Sequence, residues 1–241
     1  SYITIDSSTS STTVIVFNEK LEIVKRFQKG HRPIITDEGY IEHDLEEIYQ
    51  NVLELVKKAS EIMSNPKFIS LTNQRETFTL FNKKDGKPIH NAVVWQCTRG
   101  QKICEDILND SSKNEEIIDK TGIKPNPFFS GSKLKWVYEN KSEVKSKINN
   151  GDILFGTIET YLIYRLTNLN SYVTDTTNAS RTLLFNCLEN SWDQNLLNIF
   201  DGNNLKLPQI LNSSNIFGES DFNKAFEKSI PIIGVAGDAQ A

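Results

Sequence analysis

Three short apolar runs fill most of the first 27 residues: Tyr2-Ile3-Thr4-Ile5, Thr13 to Phe17 and Leu21 to Phe27. Only the polar run Asp6 to Thr12 and the turn Asn18-Glu19-Lys20 separate them. Apolar and β-branched runs of this length read as strands. Connections this short suit antiparallel neighbours alone, because a parallel pair needs a crossover of about a dozen residues or more. The chain is therefore expected to open with a three-stranded antiparallel meander, and the polar run is its first connection.

The next strong pattern is helical. Asp44 can cap a helix, and Glu47 three residues later completes a capping-box-like pair. Leu45, Ile48, Val52, Leu55, Val56, Ala59 and Ile62 recur on one face, so the helix should lie on a sheet with its charged side in water. Asn65-Pro66 is expected to end it, and Phe68 to Leu71 returns as a strand. Asp85-Gly86 sits between the apolar runs Thr77 to Phe81 and Ile89 to Trp95, a hairpin signal in which both central turn residues take positive φ. Helical patterns follow at Ile103 to Leu108, Glu115 to Lys120, Ser132 to Glu139, Glu159 to Leu166 and Trp192 to Phe200. Ile230 to Val235 is a last buried strand leading into Gly237-Asp238. Strands in a meander, then alternating helices and strands, predict an α/β domain with a mixed sheet.

Composition excludes several classes of function. A net charge of −4 over 241 residues speaks against nucleic acid as a partner, since little here would release phosphate counterions. The basic clusters Lys83-Lys84 and Lys133 with Lys135 have acidic neighbours and read as solvated faces. Cys97, Cys104 and Cys187 are odd in number and form no CxxC pair, and His31, His43 and His90 are scattered, so neither a disulfide framework nor a metal spacing follows. No apolar run is long enough to cross a bilayer and no signal peptide opens the chain, which makes the cytoplasm the expected location and a membrane an unexpected partner.

Four segments can carry chemistry. The run Asp6-Ser7-Ser8-Thr9-Ser10-Ser11-Thr12-Thr13 places small hydroxyl residues at a tight turn, where side chains and backbone N–H groups can receive an anion. Asp6 can hold Mg²⁺ through water. A Ser/Thr-rich solvent loop would look the same. Gly151 and Gly156 have Walker A separation, but Thr157-Ile158 stands where Lys-Ser/Thr is required, so that match fails. Asn73-Gln74-Arg75-Glu76-Thr77 sets a donor fork beside a carboxylate, which suits vicinal hydroxyls. Neighbouring strand residues point to opposite faces, so both meet one ligand only where the backbone bends. A surface salt bridge is the plainer alternative. Trp95 can wall a small polyol or fill a core, and Asp238 after a buried strand can be a general base or a helix cap.

The order of these segments resembles that of the FGGY carbohydrate kinases, and within them the glycerol kinase branch. The resemblance runs over the whole chain, through Gly39-Tyr40-Ile41-Glu42-His43-Asp44, Val94-Trp95-Gln96, Lys133-Leu134-Lys135-Trp136, Leu154 to Thr160, Thr174 to Asn186 and Gly234 to Ala241. Asn73 to Thr77 and Asn178-Ala179-Ser180-Arg181-Thr182 are its most specific stretches. It implies a ribonuclease-H-like (actin-like) fold, with residues 1–241 as the N-terminal, substrate-binding domain carrying inserted helical and hairpin segments around 83–220. A second domain with most of the adenine nucleotide pocket is expected beyond Ala241. It implies ATP and Mg²⁺ as cofactors and glycerol or a related polyol as substrate, and leaves assembly into a homo-oligomer open.

Residue by residue, the resemblance makes Arg75 and Glu76 the polyol-contacting pair, Trp95 the aromatic wall and Asp238 the catalytic base, also near the metal. It makes Thr9, Ser10 and Ser11 phosphate-loop positions and Asp6 the carboxylate near magnesium. Several residues depart from the family pattern. Ser7-Ser8 stands for Gln-Gly, Thr13 for an arginine facing the nucleotide, Phe128 for a tyrosine whose hydroxyl reaches the polyol, and Ala239 for a glutamine. The glycine- and basic-rich loop before the last strand is missing at Lys228-Ser229-Ile230-Pro231. Two lost polar contacts would weaken glycerol binding by about 1–3 kcal/mol. These departures also define the alternative, a catalytically weak relative that binds a polyol or a protein partner.

Overall fold

The computed structural model describes residues 1–241. In chain order its elements are β1 (Tyr2–Ser7), β2 (Ser11–Phe17), β3 (Ile23–Gly30), β4 (Ile34–Ile35), β5 (Ile41–His43), α1 (Leu45–Ser60), β6 (Phe68–Asn73), β7 (Phe78–Asn82), β8 (Ala92–Val93), α2 (Gln101–Leu108), α3 (Ser111–Thr121) and α4 (Ser130–Asn140). There follow α5 (Ser142–Asn149), β9 (Ile153–Thr157), α6 (Ile158–Leu166), β10 (Val173–Asp175), α7 (Thr176–Ala179), β11 (Phe185–Asn186), β12 (Ser191–Trp192), α8 (Gln194–Ile199), β13 (Gln209–Leu211), β14 (Ile216–Ser220) and β15 (Ile230–Gly237).

The meander forms as expected, with β2 antiparallel to both β1 and β3. It belongs to a six-stranded sheet of order β14-β15-β6-β1-β2-β3. β1 and β15 both run parallel to β6, and the register sets Ser7, Asn73 and Gly237 side by side. Three strand ends therefore open onto one edge, the place where open α/β sheets present ligand sites. Along β1, Ile3 and Ile5 are buried while Tyr2, Thr4 and Asp6 are half-exposed. The buried face packs on α1 and α6 in one apolar core.

A five-stranded antiparallel sheet, β4-β5-β8-β7-β9, forms a second layer with its own core against α2 to α5 and α8. It draws on residues 34–43 and 78–82 as well as on the stretch after 83. β7 explains its unbroken apolar run: Phe78 and Leu80 enter the second core while Phe81 enters the first. Two small pairs, β10 with β13 and β11 with β12, complete the strands.

The structure differs from the sequence reading in several details. The first connection shrinks to residues 8–10, because β1 and β2 extend into the polar run. α1 ends at Ser60, leaving Ile62 exposed beyond it. Asp44 accepts from the Glu46 and Glu47 amides at 2.8 and 3.3 Å, so the capping is one-sided. In the 83–88 turn only Gly86 takes positive φ, +67°, so this is a longer loop with one left-handed residue. Trp192 lies in β12, and α8 begins after it. α5 has no strong signal in the sequence because its buried apolar face is only Val144 and Ile148.

Asp44→Ala would leave two first-turn amides of α1 without their acceptor. Urea unfolding of residues 1–241 should show a loss of about 0.5–2 kcal/mol; an unchanged midpoint would show that the cap contributes nothing.

Candidate active site

Three loops meet at the edge defined by Ser7, Asn73 and Gly237: residues 8–10, 74–77 and 238–240. Main-chain bonds join them, from Gln74 N to Ser7 O at 2.9 Å and from Asp238 N to Asn73 O at 3.0 Å. Asp238 is thus placed by the strand that leads into Arg75 and Glu76, although 162 residues separate it from Glu76.

Glu76 supplies the bend that the sequence required. Its φ is +61°, a left-handed conformation that costs a non-glycine residue about 1–2 kcal/mol. Two groups hold it there. Ser130 Oγ donates to the Glu76 carbonyl at 2.7 Å, and Arg181 Nε donates to Glu76 Oε1 at 2.7 Å. The Arg181 guanidinium also lies 4.7 Å from the Phe129 ring centroid. The bend turns Arg75 and Glu76 toward one cleft.

Arg75 Nε donates to Asp238 Oδ1 at 2.9 Å, and Oδ2 carries no protein hydrogen bond. Gly237 makes room for this pair: a Cβ there would lie 2.5 Å from Arg75 Cγ. Trp95 is fixed at both ends, its amide donating to Thr77 Oγ1 at 3.1 Å and its indole Nε1 to Thr9 Oγ1 at 3.0 Å. Phe128, 48% exposed, meets the Trp95 ring edge to face at 5.7 Å. Thr9, Arg75, Glu76, Trp95, Phe128, Arg181 and Asp238 line a cleft of about 270 Å³. Arg181 had no role in the sequence reading beyond its motif; its place depends on the fold bringing α7 beside β6.

The remaining hydroxyl-run positions lie outside the cleft lining. Ser10 is exposed, and its carbonyl accepts from His31 N at 3.1 Å. Ser11 Oγ accepts from Gln28 Nε2 at 2.9 Å. Thr13, expected to face a nucleotide, is 2% exposed within β2. Ser8, which stands where the resemblance expects glycine, donates to Asp6 Oδ1 at 2.7 Å and leaves Oδ2 free. Asp6 lies opposite Ala236 across β6, about 10 Å away by strand spacing. His31 and His43 stand edge to face at 4.8 Å behind this loop, and no group of three metal-ligating side chains gathers there or elsewhere.

Beneath the cleft lies a polar network with no cation in it. Asn73 and Asn178 pair their amides reciprocally at 2.9 and 3.1 Å. Asn73 Nδ2 also reaches Glu159 Oε2 at 3.1 Å, while Glu159 Oε1 accepts from Thr157, Thr160 and Thr174. Asp175 accepts from Thr177, Asn178 and Ser213, and Thr177 Oγ1 accepts from Gly237 N at 2.8 Å. Burial, then the nearby Asp175 charge, pushes the Glu159 carboxyl up to about 7, outweighing its hydroxyl donors.

A larger cavity of about 700 Å³ lies between α2 and α4, lined by Tyr40, Arg99 and Trp136 among others. Its buried cation is already committed: Arg99 pairs with Glu42 at 2.6 Å and stacks on both aromatic rings. The smaller cleft is the better candidate because unpaired polar atoms converge there.

The Glu159 shift has a definite sign. Its folded pKa lies above the ordinary value of about 4.3, so its contribution to stability is full below that value and is lost as pH rises through about 7. Burial lowers His43 to about 4, which acts in the opposite sense as pH falls from about 6.5. Glu159→Gln should therefore be compared with its parent at each pH. Its melting-temperature deficit should shrink between pH 4.5 and 7, and a constant deficit would refute the elevated pKa.

A model of the FGGY family of carbohydrate kinases, N-terminal domain, matches residues 1–241. Glycerol kinase 1 of Thermotoga maritima is 43% identical over 241 residues, 98% of this chain and 49% of that protein. The glycerol kinase of Bacillus licheniformis is 40% identical over 243 residues, covering 99% and 49%. The structure of Plasmodium falciparum glycerol kinase with ADP superposes with a TM-score of 0.91 at 36% identity, over 99% of this chain and 49% of that one. Gluconate kinase from Lactobacillus acidophilus gives 0.89 at 26%, over 99% and 48%. The chain spans about half the length of the relatives it matches, and the ribonuclease-H-like fold class expected from its sequence holds. From its first residue to its last, the chain belongs to the FGGY family of carbohydrate kinases.

Proposed function

We propose that this chain is the polyol-binding domain of an ATP-dependent kinase that phosphorylates a primary hydroxyl of glycerol or a related polyol. The observation that carries this reading is the cleft's charge balance. Arg75 is matched by Asp238 and Arg181 by Glu76, opposite an apolar wall of Trp95 and Phe128. Such a site offers donors and acceptors to vicinal hydroxyls and sets an apolar wall against a carbon backbone. A sugar acid would have to break one of the internal ion pairs, so a neutral substrate fits better.

In this reading Arg75 and Glu76 orient the diol, and Asp238 Oδ2 accepts the proton of the attacking hydroxyl. The hydroxyl oxygen bonds to the γ-phosphorus of ATP as the bond to the β,γ-bridging oxygen breaks, giving the phosphate ester and ADP. The loop at 8–10 offers hydroxyl and backbone donors to the transferred group. Mg²⁺ commonly binds through one or two carboxylates, several waters and the substrate's phosphates, and the free Oδ2 atoms of Asp6 and Asp238 fit that demand. Bound there, the ion would offset charge on the phosphoryl group. Most of the nucleotide pocket is assigned to a second domain, the half of the relatives' length that this chain does not span.

Two measurements test the proposal. Residues 1–241 should bind glycerol by calorimetry yet phosphorylate nothing with ATP; robust phosphorylation would overturn the two-domain assignment. In a protein carrying both domains, Asp238→Asn should lower turnover by about 10²–10⁴-fold with little change in polyol affinity. Arg75→Ala should instead raise KM. Near-parental turnover in Asp238→Asn would remove Asp238 from the chemistry, and absence of turnover in the parent would favour a polyol-binding protein over a kinase.

A further inference from the structure

Lys133 reads in the sequence as part of a solvated basic face with Lys135. The structure corrects this: Lys135 reaches the surface and pairs with Asp201, whereas Lys133 is 0% exposed. It projects from the first turns of α4 and forms no ion pair. Nζ donates to the Phe128 carbonyl at 2.6 Å and to the Trp95 carbonyl at 3.2 Å. Desolvation lowers its pKa to about 7, but an amine still has N–H donors for both carbonyls after losing a proton.

These carbonyls belong to the residues whose rings wall the cleft. Neither Trp95 nor Phe128 lies in a helix or strand, so no ladder of backbone bonds fixes the ring separation. The Phe128 amide bonds only within its own loop, to Asn126 Oδ1 at 2.9 Å. Among the hydrogen bonds, Lys133 alone ties the 126–129 loop to the 94–98 segment. Ser130, three residues earlier and so on the same face of α4, holds the Glu76 carbonyl. One helix face thus grips both the aromatic wall and the strained Glu76 backbone opposite it. An ammonium group buried without a carboxylate is expensive, and a hydrophobic residue of equal length would fill the same space.

We propose that Lys133 is a positioning residue for the cleft: by holding the Trp95 and Phe128 carbonyls on one nitrogen, it sets the gap between their rings and thereby the affinity for a polyol. This rests on the reading of the cleft as a polyol site.

Lys133→Met is one atom shorter, nearly keeps the volume and removes every donor. In residues 1–241, its Kd for glycerol by calorimetry should rise about tenfold or more, as slightly misplaced binding groups do, while urea unfolding stays cooperative. The same substitution made in Phe128→Ala should change Kd by less than about threefold, because neighbours acting as one unit are not additive. A side chain that merely fills the core would give equal effects in both backgrounds. Should Lys133→Met fail to fold, the parent protein still decides the matter: the ¹⁵Nζ resonance of Lys133 should move on saturation with glycerol, and a stationary resonance overturns the inference. A parent that does not bind glycerol overturns the polyol reading and this inference with it. An unchanged Kd in well-folded Lys133→Met overturns the inference alone.

Discussion

The candidate site depends on one buried amide. Asn73, 0% exposed, ends β6; its side chain pairs with Asn178 and bonds Glu159, while its carbonyl accepts the Asp238 amide. Three chain segments distant in sequence therefore share a single fixed point. Removing that side chain would leave Asn178 Oδ1 and Glu159 Oε2 without a donor in a dry interior, while Asn178 Nδ2 keeps its bond to Asp175, and an unsatisfied buried group costs about 1–3 kcal/mol. The network joins these segments through directional hydrogen bonds, which fix positions.

Above that point, strain and electrostatics work together. The left-handed backbone at Glu76 persists because Ser130 and Arg181 each hold it by a charged or short hydrogen bond. Matching each guanidinium to a carboxylate keeps four charged groups close without net charge, so the geometry exists before a ligand arrives. Preorganisation of this kind is where binding and catalytic sites gain most over flexible ones. The grip of α4 on both sides of the cleft makes that helix part of the site, although it carries no residue of the cleft's charged half.

Much of this architecture was legible in the sequence. The meander, α1 with its Asp44 cap, and the strand before Asp238 follow from period and punctuation alone. Arg75 and Glu76 could be named as a pair, and even the need for a bend between them was readable. The bend itself, a left-handed glutamate, was not, because residue type gives no sign of it. Lys133 was misread for a related reason: a lysine in a polar helix looks solvated until the fold supplies two carbonyls for it. The second sheet was also hidden, since β4, β5 and β8 are two or three residues long and exist only through their partners. Arg181 and Glu159 gain their roles from pairings across 105 and 86 positions, which no local pattern encodes.

The position of β15 has a consequence in time. It lies in the interior of the six-stranded sheet, between β6 and β14, rather than at an edge. β6 therefore exposes an unpaired flank until residues 230–237 have been synthesised and can insert. At about 5–20 residues per second, the interval between completing β6 and completing β15 is on the order of ten seconds or more. Through that interval the apolar Ile69 and Leu71 face a half-built core and an open strand edge, a template for wrong pairing. Folding of this chain should therefore be most vulnerable on the ribosome, and a chaperone that shields β6 during synthesis would act where the topology leaves the longest wait.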